Sequence, residues 1–387
     1  MLNSIKQNLH LLIIFQSLLF MILLCLLSFK KNRANRYLFF FFLFMLCGEV
    51  GGLINRFMPS DLCTAFVIVP RIFFILITLS FLAFPFFHLY VLSSTDNSFR
   101  LSLRHLIHLI PFSAVLLYVF FEYIVSGSVT TYLISSNNHT VFAFFEYQNI
   151  RIARVIQFYS YILLAWYSLY QHKKNITNIF SSVSNISLRW LRFFLVAIAL
   201  WGLFEIAAIL VYRGVLKFYY PYAYILSSVA LLIILTTLFL KALSQREIII
   251  PVKLERVGKY KKNPLDEKEK NIYLKMLNEY MLREKPYLEP ELTVKNLSDM
   301  TEIPPHRISQ VLNSALKINF YDYVNSHRIE ESKQLLSSDP EDKKNIIEVV
   351  YESGFNSKST FNSVFKKHTG MTPSEYKAAK KEPFMAS

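Results

Sequence analysis

Apolar residues along the first 243 positions do not alternate with polar ones. They run in long blocks over residues 9–29, 37–57, 64–91, 103–125, 152–170, 190–212 and 222–243. Each block is long enough to cross a ~30 Å hydrocarbon core as a helix, which takes about 20 residues. Seven such blocks with so few internal charges predict a transmembrane bundle rather than the buried helices of a globular protein. The first block exceeds a signal-peptide core and reads as a retained span. From residue 267 onward the apolar positions recur at helical spacing within polar surroundings, and no period-two run appears. The expectation is an all-α chain with a seven-helix transmembrane bundle at 1–243, a juxtamembrane linker at 244–266 and a soluble helical domain at 267–387. Ile248, Ile249 and Ile250 inside the linker read equally well as a short strand or a docking patch.

Finer patterning in the soluble part predicts the same device twice. Val294, Leu297 and Met300 mark one face of a short helix, with Thr293 as its N-cap. Residues 301–304 form a turn, and Pro305 suits the first position of a second helix. On that helix Ile308, Val311, Leu312 and Ala315 share an inner arc, while His306, Arg307, Ser309, Gln310 and Asn313 share the outer one. The second occurrence begins with Ile346, Ile347, Val349 and Val350 and stops at Gly354. Ser357 caps the next helix, where Phe361, Val364 and Phe365 face inward. Lys358, Ser359, Asn362, Ser363 and Lys366 face outward. Thr372-Pro373-Ser374-Glu375 is a capping box that starts a last helix. A longer helix over about 319–336 separates the two units. Short helix, tight turn and second helix with a polar outer face is the helix-turn-helix arrangement.

Charge changes the picture through its location. The chain carries 42 Lys and Arg against 27 Asp and Glu, net +15. Residues 1–240 hold 17 basic and 6 acidic side chains, whereas 271–387 hold 16 of each. The basic excess therefore sits among the apolar blocks, where loop Lys and Arg set membrane orientation. Ten flank one side (Lys30, Lys31, Arg33, Arg36, Arg100, Arg104, Lys173, Lys174, Arg189, Arg192) and six the other (Lys6, Arg56, Arg151, Arg154, Arg213, Lys217). That bias predicts an outside N-terminus and a cytoplasmic C-terminal domain. Within that domain, Lys358, Lys366, Lys367, Lys377, Lys380 and Lys381 face only Glu375 between residues 354 and 381, a local +5.

The run Gly354-Phe355-Asn356-Ser357-Lys358-Ser359-Thr360-Phe361, followed by Phe365 through Tyr376, resembles the C-terminal signature of the AraC/XylS family of bacterial transcription regulators. Phe320-Tyr321-Asp322-Tyr323-Val324-Asn325 and Arg328-Ile329-Glu330-Glu331 are similar to that family's central helix. The resemblance covers roughly residues 268–380. The apolar part is unlike the soluble barrel usual in the family and resembles a subgroup with a membrane-helix sensor in the bacterial inner membrane. Two positions depart from the family pattern: Lys317 stands where Gly is frequent, and Ser332 where Ala is usual. The resemblance implies two recognition helices in successive major grooves of promoter DNA. His306, Ser309 and Gln310 would then meet base edges from the first unit, and Lys358, Ser359, Asn362 and Ser363 from the second. Gln and Asn pair with adenine edges and Lys reaches guanine acceptors. Arg307, Lys366 and Lys367 suit phosphates.

Ionisable residues inside spans are costly and mark either function or pairing. Glu49, Arg71 and Glu205 all fall about 10–12 Å below the outer surface at ~1.5 Å per residue. They read either as one buried polar site that senses a signal or as ion pairs that hold the bundle. Cys25, Cys47 and Cys63 form no zinc spacing, and no nucleophile elbow or metal-binding His pair occurs. No cofactor, metal or catalytic residue is expected. The partners expected are double-stranded promoter DNA, the lipid bilayer, a second copy through self-association, and an unidentified signal ligand. The rival from another class is a transporter or lipid-modifying enzyme fused to a regulatory DNA-binding domain.

Overall fold

Every regular element among the described residues is helical, and extended backbone pairs only where Phe180 meets Thr293 in an antiparallel bridge. The computed structural model describes residues 2–27, 32–57, 68–96, 99–125, 141–183, 187–213, 220–244, 265–337 and 344–385. The side chains of Arg71 and Glu205, and the isoleucine run 248–250, lie outside the described residues. The chain divides into two compact units. One joins residues 1–169 with 189–250; the other joins 170–188 with 251–387.

The first unit contains α1 (Leu2–Leu27), α2 (Arg33–Phe57), α3 (Ile68–Ser80), α4 (Ala83–Thr95), α5 (Ile110–Val125, entered through a 3-10 turn at Leu103–Leu109), most of α6 (Val141–Thr177), α7 (Arg189–Arg213) and α8 (Tyr220–Ser244). Five helical stretches among the described residues are long and apolar enough to cross a membrane: Ser4–Leu26, Arg33–Ile54, Ile75–Thr95, Leu103–Phe120 and Tyr222–Ser244. α6 and α7 cover the fifth and sixth blocks of the sequence and are not among those five, so the count of seven spans stays an expectation. Aromatic side chains fill the interior. Phe20 stacks on Phe239 at 3.9 Å between centroids, and Phe87 touches both Phe41 and Phe194.

The third block reads as one span, yet the chain turns between α3 and α4 at Phe81 and Leu82. Pro85 supplies the reason. It has no N–H to give the carbonyl four residues back, which is that of Phe81. In an apolar surrounding an unpaired carbonyl is expensive. The Gln157 amide from α6 donates to the Phe81 carbonyl at 2.8 Å and replaces the missing bond.

The second unit contains α9 (Glu267–Glu284), α10 (Val294–Thr301), α11 (Pro305–Val311), α12 (Phe320–Ser337), α13 (Ile346–Glu352), α14 (Lys358–Thr369) and α15 (Pro373–Met385). It has two apolar cores, and α12 serves both. Phe320, Tyr323 and Val324 from its first half pack with Leu277, Met281, Leu297, Ile308, Val311 and Leu312. Ile329 and Leu336 from its second half pack with Val349, Val350, Phe355, Phe361, Val364 and Phe365. Between the cores lies Arg328, 1% exposed. Its Nε donates to the Tyr287 carbonyl and one terminal nitrogen to that of Glu289, both at 2.7 Å. Burial lowers its pKa to about 10, partly opposed by the charges of Tyr321 and Glu289.

Candidate nucleic-acid interface

Each helix-turn-helix unit is fixed by local chemistry. Thr293 Oγ1 accepts from the Asn296 N–H at 3.1 Å, and the Asn296 side chain accepts from the Thr293 N–H at 3.0 Å, which settles the start of α10. α10 stops at Thr301, Glu302 takes a left-handed φ of 57°, and α11 opens on Pro305. In the second unit Asn345 caps α13, and Gly354 turns the chain with φ 83°. Ser357 caps α14 through the Thr360 N–H. The Glu375 carboxylate accepts from the Thr372 N–H at 2.7 Å and starts α15. That backbone bond is the main cause holding the Glu375 carboxyl below its ordinary pKa.

The end of α11 differs from the regular helix that the inner arc through Ala315 implies. Residues Leu312–Leu316 widen into a π-turn, which rotates Ala315 out to solvent. Lys317 then closes the turn with a left-handed φ of 56°, and its N–H reaches the Leu312 carbonyl. The chain therefore makes the glycine-type stop without a glycine, at a cost of about 1–2 kcal/mol. Ser332 is fully buried and returns its hydroxyl to the Ile329 carbonyl, so it fits a site expected to hold Ala.

On α11, His306 is exposed while Arg307, Ser309 and Gln310 are half-buried. Arg307 donates to the Gln310 side-chain oxygen at 3.4 Å, so the residue read for phosphate and the residue read for a base edge are neighbours. On α14, Lys358, Ser359, Asn362, Ser363, Lys366 and Lys367 are all exposed and form one polar face. Lys367 is shared, since its Nζ lies 3.0 Å from Asp322 on α12. Lys377 is also engaged and donates to the Lys344 carbonyl at 2.7 Å. The +5 counted along the sequence is thus partly spent inside the domain, and Lys358 and Lys366 remain on the open face.

Residues 297–379 match the family model described as a helix-turn-helix domain. The melibiose operon regulatory protein of Escherichia coli K12 is 26% identical over 86 residues, and the same match occurs in an O6:H1 strain. The second half of this chain carries an AraC-type helix-turn-helix DNA-binding domain. The match covers 22% of this chain and 28% of the relative, so the chain spans under a third of the curated relatives' length. A solved structure of a protein of unknown function from Listeria innocua aligns with 25% identity over 27% of this chain and 95% of its own. Its TM-score of 0.24 is too low to speak to the fold.

The first unit places one of its three candidate polar residues. Glu49 Oε2 lies 2.8 Å from His10 Nδ1, and His10 Nε2 bonds the Tyr224 hydroxyl. Glu49 thus joins α1, α2 and α8 through histidine. Neither His10 nor Tyr224 is among the sequence candidates. The signal for His10 was present, because an ionisable ring sits inside the first apolar block. Tyr224 offered none, as one of several tyrosines (Tyr219, Tyr220, Tyr222) at the start of the last apolar block.

Proposed function

We propose that this chain is a membrane-embedded one-component transcription regulator. Its seven-span bundle anchors the protein in a bacterial inner membrane, N-terminus outside, and senses a signal. Its C-terminal domain lies in the cytoplasm and binds promoter DNA in a sequence-specific way. The observation that carries the reading is the pair of capped helix-turn-helix units whose second helices, α11 and α14, turn polar faces outward. His306, Ser309 and Gln310 read base edges from one unit, and Lys358, Ser359, Asn362 and Ser363 from the other. Arg307, Lys366 and Lys367 hold phosphates. Glu49, Arg71 and Glu205 form the sensing layer, and self-association of bundles raises the effective concentration of domains on adjacent DNA sites.

Genome-wide occupancy of the tagged full chain tests the function. Discrete promoter peaks that vanish in the Gln310→Ala, Asn362→Ala double variant are expected, and a membrane-inserted chain with no peaks would refute it. Reporter fusions after Leu243 test orientation, with activity expected from cytoplasmic reporters alone. Glu205→Gln and Arg71→Met are expected to lock output while leaving membrane expression intact; normal inducible output would remove both from sensing.

A further inference from the structure

The loop between α6 and α7 contains Asn178-Ile179-Phe180-Ser181-Ser182-Val183. A loop joining two apolar helices has no need of three apolar residues in six. Here they are used. Ile179 is 6% exposed and belongs to the core of the DNA-binding domain, beside Leu292, Val294, Leu297 and Ile308. The Val294 N–H donates to the Ile179 carbonyl at 2.8 Å, and the Ser181 N–H donates to that of Leu292 at 3.1 Å. These two bonds frame the Phe180–Thr293 pair and meet the chain where α10 begins.

Ser181 continues to the central helix. Its carbonyl accepts from Asn325 at 3.2 Å and from Arg328 at 3.4 Å, and its hydroxyl accepts from Arg328 at 3.1 Å. Arg328 is a buried cation whose contacts here are neutral oxygens, so each acceptor matters to it. Ser182 then bonds the Asn356 side chain at 3.0 Å, one residue before the cap of α14. Four consecutive loop residues, Ile179 to Ser182, therefore touch the start of the first unit, the helix between the units and the residue before the cap of the second recognition helix. The outer faces of α11 and α14 stay open while the loop is seated.

We infer that residues 179–182 are a built-in partner of the DNA-binding domain, a brace seated across both helix-turn-helix units that holds them in the spacing DNA requires. Because the seated loop covers neither readout face, docking favours DNA binding. The covalent neighbours of the brace are α6, whose earlier residues belong to the first unit, and α7. Any change there that withdraws the brace weakens DNA binding. The inference rests on the DNA-binding reading of the second unit.

The test uses the full chain in lipid nanodiscs with the three native cysteines changed to Ala and with Phe180→Cys and Thr293→Cys added. Residues in an antiparallel bridge framed in this way have Cα atoms about 4.5 Å apart, within disulfide reach. Mild oxidation is expected to crosslink the pair within one chain, and oxidised protein should bind DNA selected from a random pool at least as tightly as reduced protein. Ser181→Pro, which deletes the N–H given to Leu292, is expected to weaken binding about tenfold. Ser182→Ala, which leaves the core intact, is expected to weaken it two- to threefold if Ser181→Pro fails to fold. Absence of the crosslink in folded protein overturns the inference, as does tighter binding in the reduced state or unchanged binding in the folded variants. Failure of the unmodified chain to select any DNA would instead overturn the function, whatever the crosslink does.

Discussion

Gly354 is where the second unit leaves least freedom, and replacing it by Ala separates two costs. Its φ of +83° is left-handed, which costs a residue with a Cβ about 1–2 kcal/mol. An added Cβ would also stand 2.4 Å from the Tyr287 carbonyl oxygen and 2.8 Å from Leu288 Cα. Both are backbone atoms, so relief requires moving the 286–288 turn, and overpacking of this kind costs about 1–3 kcal/mol. The total is about 2–5 kcal/mol. A domain of this size has a stability of roughly 6–18 kcal/mol at about 0.05–0.15 kcal/mol per residue, so a large share is lost. Gly370 is the internal control. Its φ is +78°, and a Cβ there meets nothing within 4 Å, so Gly370→Ala should show the conformational cost alone. Urea-dependent proteolysis of the full chain in nanodiscs, followed by a C-terminal tag, measures both. Equal losses in the two variants would refute the steric part of the reasoning, and no loss in either would refute the left-handed turn itself.

The readout assignments predict that Gln310→Ala or Asn362→Ala costs about 1–3 kcal/mol at one base position, measured by competition among single-base variants of a selected site. Lys366→Ala should weaken all sequences equally and lower the salt slope by about one; equal binding by all three variants would remove α11 and α14 from the interface. In the first unit, Gln157→Leu leaves the Phe81 carbonyl unpaired and should cost about 1–3 kcal/mol in a thermal melt. Adding Pro85→Ala returns an N–H to that carbonyl and should recover most of the loss. Burial pushes the Glu331 carboxyl up, but hydrogen bonds from Lys285 and Tyr287 and the Lys285 charge outweigh it, so its pKa is lowered. The contribution is therefore complete above the unfolded carboxylate pKa of about 4.3. It is lost as pH falls through the lower folded value, and Glu331→Gln should flatten that part of an acid-stability curve.

The helix-turn-helix units were readable because their determinants are local. A cap and its bonded N–H are two or three residues apart, as Thr293 with Asn296 and Thr372 with Glu375 show. Gly354 and Pro305 act on their own backbone. These signals hold whatever the rest of the chain does, and, the end of α11 aside, the observed helix ends fall within one or two residues of those the pattern implies. The closing of α11 was less legible, because a left-handed Lys317 and a π-turn run against intrinsic preference. The Phe81 break had a visible cause in Pro85, but its remedy lies 76 residues away in Gln157.

Long-range polar pairs set the limit on what spacing can convey. Glu49 is conspicuous in an apolar block, and depth below the membrane surface groups it with Arg71 and Glu205. Depth alone fixes one coordinate, and helix rotation and neighbour order fix the others. His10 reaches Glu49 because α1 packs beside α2, which no count of residues from a span end conveys. The same holds more strongly for residues 179–182. A loop between two apolar blocks is read by its Lys and Arg for orientation, here by Lys173, Lys174, Arg189 and Arg192. Ile179, Phe180 and Val183 contradict a purely solvated loop, and that contradiction is the part of the signal the sequence contains. What Ile179 and Phe180 pack against depends on Leu292 and Val294, more than a hundred residues later in the chain but in the same compact unit. A chain whose regulation runs through such a contact will show its DNA-binding parts plainly in sequence and conceal the connection between them, because the connection exists only once both ends are folded.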